Sequence, residues 1–162
     1  MVSSRSLIIS SPEEMISLGE RIGGLVFVEA VIGLSGPLGA GKTTLVRGIA
    51  EGMGIDEGYV VSSPTYTILQ VYPCGPRELY HLDLYRVSGS EDLDSTGYRE
   101  GMGMGKILLV EWVEKIPTVL PPENLRILID YSEKGRVVRL DPEGRKYRDL
   151  VSGVLLTSRD TG

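Results

Sequence analysis

Hydrophobic positions along this chain follow two periods, and the switches between them mark its elements. Ser6 to Ser10 reads as a short strand-like run, after which Ser11, Pro12 and Glu14 predict a helix start with a cap, a first-turn proline and a reciprocating acid. Met15, Leu18 and Ile22 share one face of that helix, and Gly23 with Gly24 is expected to end it. Leu25 to Val28 fits neither period. Ala30 to Ser35 predicts a buried strand, and Thr43 to Met53 a helix with Leu45, Ile49 and Met53 on its inner stripe and Gly54 closing it.

Farther on, Thr65 to Tyr72 and Glu78 to Tyr85 predict an antiparallel hairpin with Pro73, Cys74, Gly75 and Pro76 as its turn. Ser90 is expected to cap a short helix reaching Tyr98. Gly97, Gly101, Gly103 and Gly105 then punctuate a loop before the apolar strand Ile107 to Val110, and Pro117, Pro121 and Pro122 break up the next segment. Leu125 to Tyr131 and Val137 to Leu140 predict a second hairpin around Glu133, Lys134 and Gly135. A helix from about Glu143 to Leu156 comes next, and the last few residues are expected to fray. Strands interleaved with helices predict an α/β domain in which hairpins add antiparallel strands to a parallel centre.

Composition narrows this picture. The 162 residues, 41% of them apolar, suit one domain spanning 1–162, with a core large enough to need no covalent staple. A single Cys, Cys74, forms no internal disulfide, and with a single His it supplies no Cys and His zinc site. The net charge of −5 argues against a surface that grips nucleic acid all over. No run reaches the roughly 18 apolar residues of a membrane span, and the first residues lack a secretory pattern, so a cytoplasmic location is expected.

Candidate chemistry begins at Gly36, Gly41, Lys42 and Thr43, spaced as G-x-x-x-x-G-K-T between a strand and a helix. Backbone N–H groups of Leu38, Gly39, Ala40, Gly41, Lys42 and Thr43 can converge on phosphate oxygens there, at the positive end of a helix dipole. Lys42 adds a mobile charge, and the Thr43 hydroxyl is placed for Mg2+. Glu111 ends an apolar strand, where a metal-side carboxylate is expected, although it is longer than the usual Asp. Asp83 is the candidate for orienting an attacking water. Alternation puts Leu82 and Leu84 on one face and His81, Asp83 and Tyr85 on the other, which suggests that the carboxylate leaves the core side. It could equally pair with Arg86 or His81, and His81 is itself a less favoured base. Ser62 to Thr67 is a hydroxyl-rich segment able to sense a γ-phosphate. Trp112 is either an exposed anchor or half-buried packing.

Together G-P-L-G-A-G-K-T-T, S-P-T-Y-T, H-L-D-L-Y-R and L-V-E-W resemble the bacterial TsaE (YjeE) ATPase family, over a stretch from about Leu18 to Arg136. The resemblance implies a P-loop NTPase-like mixed sheet with flanking helices. It also implies a cytoplasmic Mg2+-ATPase that assists threonylcarbamoyladenosine formation on tRNA with two partners, TsaB and TsaD. By motif, residues 38–43 and neighbouring Thr44 would bind ATP phosphates, Thr43 and Glu111 would hold Mg2+, Asp83 with Lys42 would serve hydrolysis, and Thr65 would lie in a switch. Ser11 and the turn from Lys134 through Gly135 to Arg136 would lie near the nucleotide. Contact with tRNA is expected to be indirect, and no membrane is implied. Pro37 departs from the family, which more often has an acid there; it removes an N–H that the cradle does not need. The main rival reading is a small-molecule P-loop kinase with Gly97 to Gly105 and Arg99 as its lid; a binding module without turnover is another. No Asn-Lys-x-Asp segment is present, which favours ATP over GTP.

Overall fold

The computed structural model describes residues 4–157, so the expectation of a fraying C-terminal end lies outside the described residues. β1 (Arg5–Ile9) leads into α1 (Pro12–Leu25), whose first turn is closed by local hydrogen bonds. The Glu14 N–H donates to Ser11 Oγ at 3.2 Å, and the Ser10 N–H donates to the Glu14 carboxylate at 2.8 Å. This satisfies donors that the helix itself leaves open.

Gly23 and Gly24 do not end α1, which continues to Leu25. The reason is packing against α2 (Lys42–Gly52). A Cβ on Gly23 would lie 2.1 Å from the Ile49 carbonyl oxygen, and one on Gly52 would lie 2.2 Å from that of Glu20. Gly19 and Gly48 meet in the same way, with a Cβ on Gly19 placed 2.8 Å from the Gly48 Cα. Glycines four apart on both helices therefore let the two backbones touch, a demand of tertiary contact that outweighs the glycine's low helix propensity.

β2 (Val31–Ser35) lies near the middle of a seven-stranded sheet ordered β1-β7-β6-β2-β5-β4-β3. The remaining strands are β3 (Leu69–Cys74), β4 (Arg77–Asp83), β5 (Lys106–Glu111), β6 (Asn124–Ser132) and β7 (Gly135–Glu143). β2 pairs in parallel with β5 and β6, and β4 in parallel with β5; the β3–β4, β6–β7 and β1–β7 pairs are antiparallel. Parallel centre and antiparallel hairpins are thus as expected.

The first hairpin is shorter than predicted. Thr65 to Ile68 is a turn rather than strand, and Pro73 is not in the connection but in β3, opposite Glu78. β3 is an edge strand, where a residue without an N–H is tolerated. Both hairpin turns, Gly75–Pro76 and Glu133–Lys134, span two residues. α3 (Gly89–Asp94) stops before Tyr98, where a separate 3-10 turn begins, and α4 (Arg145–Thr157) closes the order.

Two apolar layers cover the sheet. Ile32, Leu34, Ile107 and Leu109 pack with residues of α1, α2 and α4, while Leu82, Leu108 and Val110 pack with Tyr98, Val113 and Val119 on the opposite side. Because the parallel strands are buried on both faces, no face of β4 or β5 is open to water, and polar side chains near their ends must be hydrogen-bonded.

Candidate functional site

Parallel pairing brings the C-terminal ends of β2, β5 and β4 to one edge, with Glu111 in register with Leu34 on one side and Asp83 on the other. The chain leaves β2 through residues 36–41 and enters α2 at Lys42. Gly36 has φ +146°, and a Cβ there would lie 2.2 Å from the Ile129 carbonyl oxygen, so this turn needs glycine on both conformational and steric grounds. Gly39 and Gly41 also have positive φ.

Carbonyl groups of this loop are held from outside. Tyr131 Oη donates to the Leu38 carbonyl at 2.5 Å, and Arg136 Nε donates to that of Ala40 at 3.0 Å. The Gly36 N–H donates to the Glu114 carboxylate at 3.3 Å. Ala40 donates its N–H to the Pro37 carbonyl, and the first N–H groups of α2 have no partner within the helix. Donors of residues 41–43 thus remain available at the positive end of a helix, which suits an anion.

Lys42 is buried, at 5% exposure. Its ammonium donates to the Gly36 and Pro37 carbonyls at 2.5 and 3.0 Å and lies 3.8 Å from the centroid of the Trp112 ring. Burial pushes its pKa below the ordinary value, against the opposing pull of Glu111, Glu114 and Asp83. Trp112 is accordingly half-buried packing, with Tyr85 at 5.1 Å on its ring, and not an exposed anchor.

Thr43 Oγ1 lies 3.2 and 3.3 Å from the two Glu111 carboxylate oxygens, so the expected metal-side pair is assembled. Among the described residues no three His, Cys, Asp or Glu side chains gather as a metal site. A hydroxyl, one carboxylate and room for phosphate oxygens instead fit Mg2+, which keeps several waters and shares its ligands with a substrate phosphate.

Asp83 and His81 do share a face, but Leu79 of the same face joins the apolar cluster that includes residues of α1 and α2, and both polar residues are buried. The expectation that Asp83 leaves the core side is therefore corrected: the sheet is covered on both sides. Asp83 pairs with neither Arg86 nor His81. Its carboxylate accepts from Ser63 Oγ at 2.9 Å, Thr65 Oγ1 at 3.5 Å and the Tyr85 N–H at 2.8 Å. Thr65 and Ser63, with Leu38, Lys42, Thr43 and Glu111, line a cavity of about 470 Å3 that Asp83 itself does not reach.

Next to it lies a smaller cavity of about 200 Å3, and Gly39, Gly41 and Thr44 line both. Ser11, Ala40, Gly135 and Arg136 also line the smaller one, with Ile9 and Met15 giving it an apolar wall. Ser11, Leu38 to Thr44, Thr65, Glu111, Gly135 and Arg136 therefore meet at these two spaces, while Gly36, His81, Asp83 and Lys134 line neither. Arg99, the lid candidate of a kinase, lies at neither; it pairs with Asp94 at 3.2 Å on the exposed surface.

Comparison with known proteins decides the family. The family model described as threonylcarbamoyl adenosine biosynthesis protein TsaE matches residues 9–138. The chain belongs to the TsaE family. A tRNA threonylcarbamoyladenosine biosynthesis protein TsaE of Bacillus subtilis is 39% identical over 142 residues, 86% of this chain and 87% of that one. The Haemophilus influenzae protein of the same description is 38% identical over 119 residues, 74% of each chain. Among solved structures, the crystal structure of Bacillus subtilis YdiB matches with a TM-score of 0.79 at 33% identity, covering 100% of this chain and 99% of that one. The family's place is in tRNA threonylcarbamoyladenosine biosynthesis, and no helix among the described residues of this member is long and apolar enough to cross a membrane.

Beyond the family motifs, sequence reasoning missed three contributors to the TsaE site: Tyr131, Glu114 and the bond from His81 to Glu111; Ser63 lies in the hydroxyl-rich segment already singled out, but its bond to Asp83 was not foreseen. His81 Nε2 lies 2.5 Å from Glu111 Oε2. Only the order of strands brings these residues together, and no local pattern announces that order.

Proposed function

We propose that this TsaE family member is a Mg2+-dependent ATPase that assists threonylcarbamoyladenosine formation on tRNA by acting on a complex of TsaB and TsaD. The observation that carries this reading is the Thr43–Glu111 contact beside a glycine-rich loop whose braces fall mostly on its carbonyls. In the proposed complex, residues 41–43 bind the phosphates through backbone N–H groups, and Lys42 exchanges the Gly36 and Pro37 carbonyls for outer phosphate oxygens. Thr43 and Glu111 would hold Mg2+, Glu111 directly or through water, and the ion would supply positive charge to the phosphate oxygens. The smaller cavity, with Ser11 and Gly135 on its walls, takes the nucleoside end.

Asp83 is proposed to serve hydrolysis through the segment it anchors. While Ser63 and Thr65 donate to its carboxylate, the acid is engaged; when those hydroxyls turn to the terminal phosphate, the carboxylate is freed to accept from an attacking water. Reaction and rearrangement of the segment are then coupled. ATP and ADP forms differ in the surface offered to a partner by as much as they differ in affinity for the two arrangements.

The test is release of ADP by the purified chain with Mg2+, alone and with TsaB and TsaD. Slow turnover that the partner complex accelerates is expected, and Lys42→Ala should lose productive ATP binding while still unfolding cooperatively, at a temperature lowered by the loss of the Gly36 and Pro37 hydrogen bonds. Normal hydrolysis by Lys42→Ala, or equal partner affinity for the ATP and ADP forms, contradicts the proposal.

A further inference from the structure

We infer that His81 is a positioning residue for the metal-side acid, acting as the hydrogen-bond clamp that fixes Glu111 in the orientation in which it meets Thr43. The inference rests on the reading of Glu111 as the metal-side carboxylate and adds a residue to it. His81 is fully buried in β4, two residues before Asp83, and its neighbour in β5 is Leu109. From that position Nε2 reaches Glu111 Oε2 at 2.5 Å. An ionised carboxylate only accepts, so Nε2 carries the hydrogen.

Two features separate a clamp from a space-filling ring. The other ring nitrogen, Nδ1, is buried with no hydrogen-bond partner among the described residues. Burying a bare polar atom is unfavourable, and an apolar side chain would fill the same space without that cost, so the polar role of this ring goes wholly to Glu111. The second feature is the acid itself. Glu has one more rotatable bond than Asp, and at 2% exposure its oxygens need donors. Thr43 offers one from the loop side, but its hydroxyl is the group that turns toward a metal. The bond from His81 comes from the sheet interior and persists when Thr43 changes partner. A carboxylate held in this way presents its remaining lone pairs in a fixed direction, as outer hydrogen bonds do at metal sites generally.

The experiment measures binding of a non-hydrolysable ATP analogue by calorimetry while Mg2+ is titrated, for the parent, His81→Leu and His81→Gln. Gln can place an amide donor near the position of Nε2, and Leu cannot. Metal-free binding of the analogue should stay within about twofold in all three proteins, because the loop donors are untouched. His81→Leu should need roughly 10- to 100-fold more Mg2+ for half of the metal-dependent gain, the cost typical of losing such an outer partner. His81→Gln should recover most of that loss.

If His81→Leu does not fold, His81→Asn takes its place, since its shorter amide stops short of the carboxylate. Parent-like Mg2+ dependence in the variant lacking the donor, or a loss in His81→Gln as large as in His81→Leu, overturns the inference. A parent protein with no Mg2+ dependence at all would instead overturn the metal reading of Glu111 on which the inference stands.

Discussion

The two segments that face each other across the larger cavity are tied down in opposite ways. Residues 36–41 are braced mostly at their carbonyls, by Tyr131, Arg136 and Lys42. Residues 62–67 are anchored by hydroxyls, with Ser63 and Thr65 donating to Asp83 and the Ser62 N–H donating to Tyr72. An anion needs donors. The first segment has its acceptors occupied and, although the Gly36 and Ala40 N–H groups are engaged, its donors toward α2 are free, so an anion would be met there with Lys42 as the group that changes partner. In the second, the hydroxyls that would meet a phosphate are the ones holding it in place. Binding there means exchanging partners, which is the physical requirement for a segment that reports nucleotide state.

The sharpest way to break the contrast is Gly36→Ala. Its Cβ would collide with the Ile129 carbonyl oxygen at a backbone angle unfavourable to alanine. Overpacking of this kind costs about 1 to 3 kcal/mol in stability, and the displaced loop should give no thermal shift with ATP. A parent-like shift would show that the loop does not depend on this turn.

Arg136→Ala is the intermediate case, because it removes one brace and leaves the glycines in place. A hydrogen bond from a charged group is worth about 1.5 to 3 kcal/mol. Arg136 is only half-buried, which puts the expected effect at the low end, a loss of about tenfold in nucleotide affinity for ADP and ATP alike. A loss confined to ATP would place Arg136 with the reporting segment.

Ser63→Ala should have the smallest effect on binding. Losing one hydroxyl anchor costs the segment about 1 kcal/mol and should leave ADP affinity within about threefold, while amide exchange at 62–67 speeds up in the nucleotide-free protein. Unchanged exchange would mean that Asp83 does not hold the segment.

The binding loop is legible in sequence because everything it needs is contiguous: glycines, Lys42 and Thr43 lie in one run between a strand and a helix. Glu111 is legible for a related reason, as the first polar residue after an apolar strand. Burial of Asp83 is not, since alternation tells which face a side chain takes but not whether helices cover that face. Contact between His81 and Glu111 depends on β4 lying beside β5 in parallel register, a non-local fact. At Gly19, Gly23, Gly48 and Gly52 a signal does exist, a four-residue spacing repeated in two helices. It is easily mistaken for helix punctuation because glycine serves both purposes.

The contrast between the two segments is tested most directly by amide hydrogen exchange on the intact protein with Mg2+, comparing ADP with a non-hydrolysable ATP analogue at saturation. The predicted result is slowed exchange at 36–44 with both nucleotides, and a change at 62–67 with the triphosphate only. Equal responses of 62–67 to both nucleotides, or no protection of 36–44 by either, would contradict a division into a loop that binds and a segment that reports.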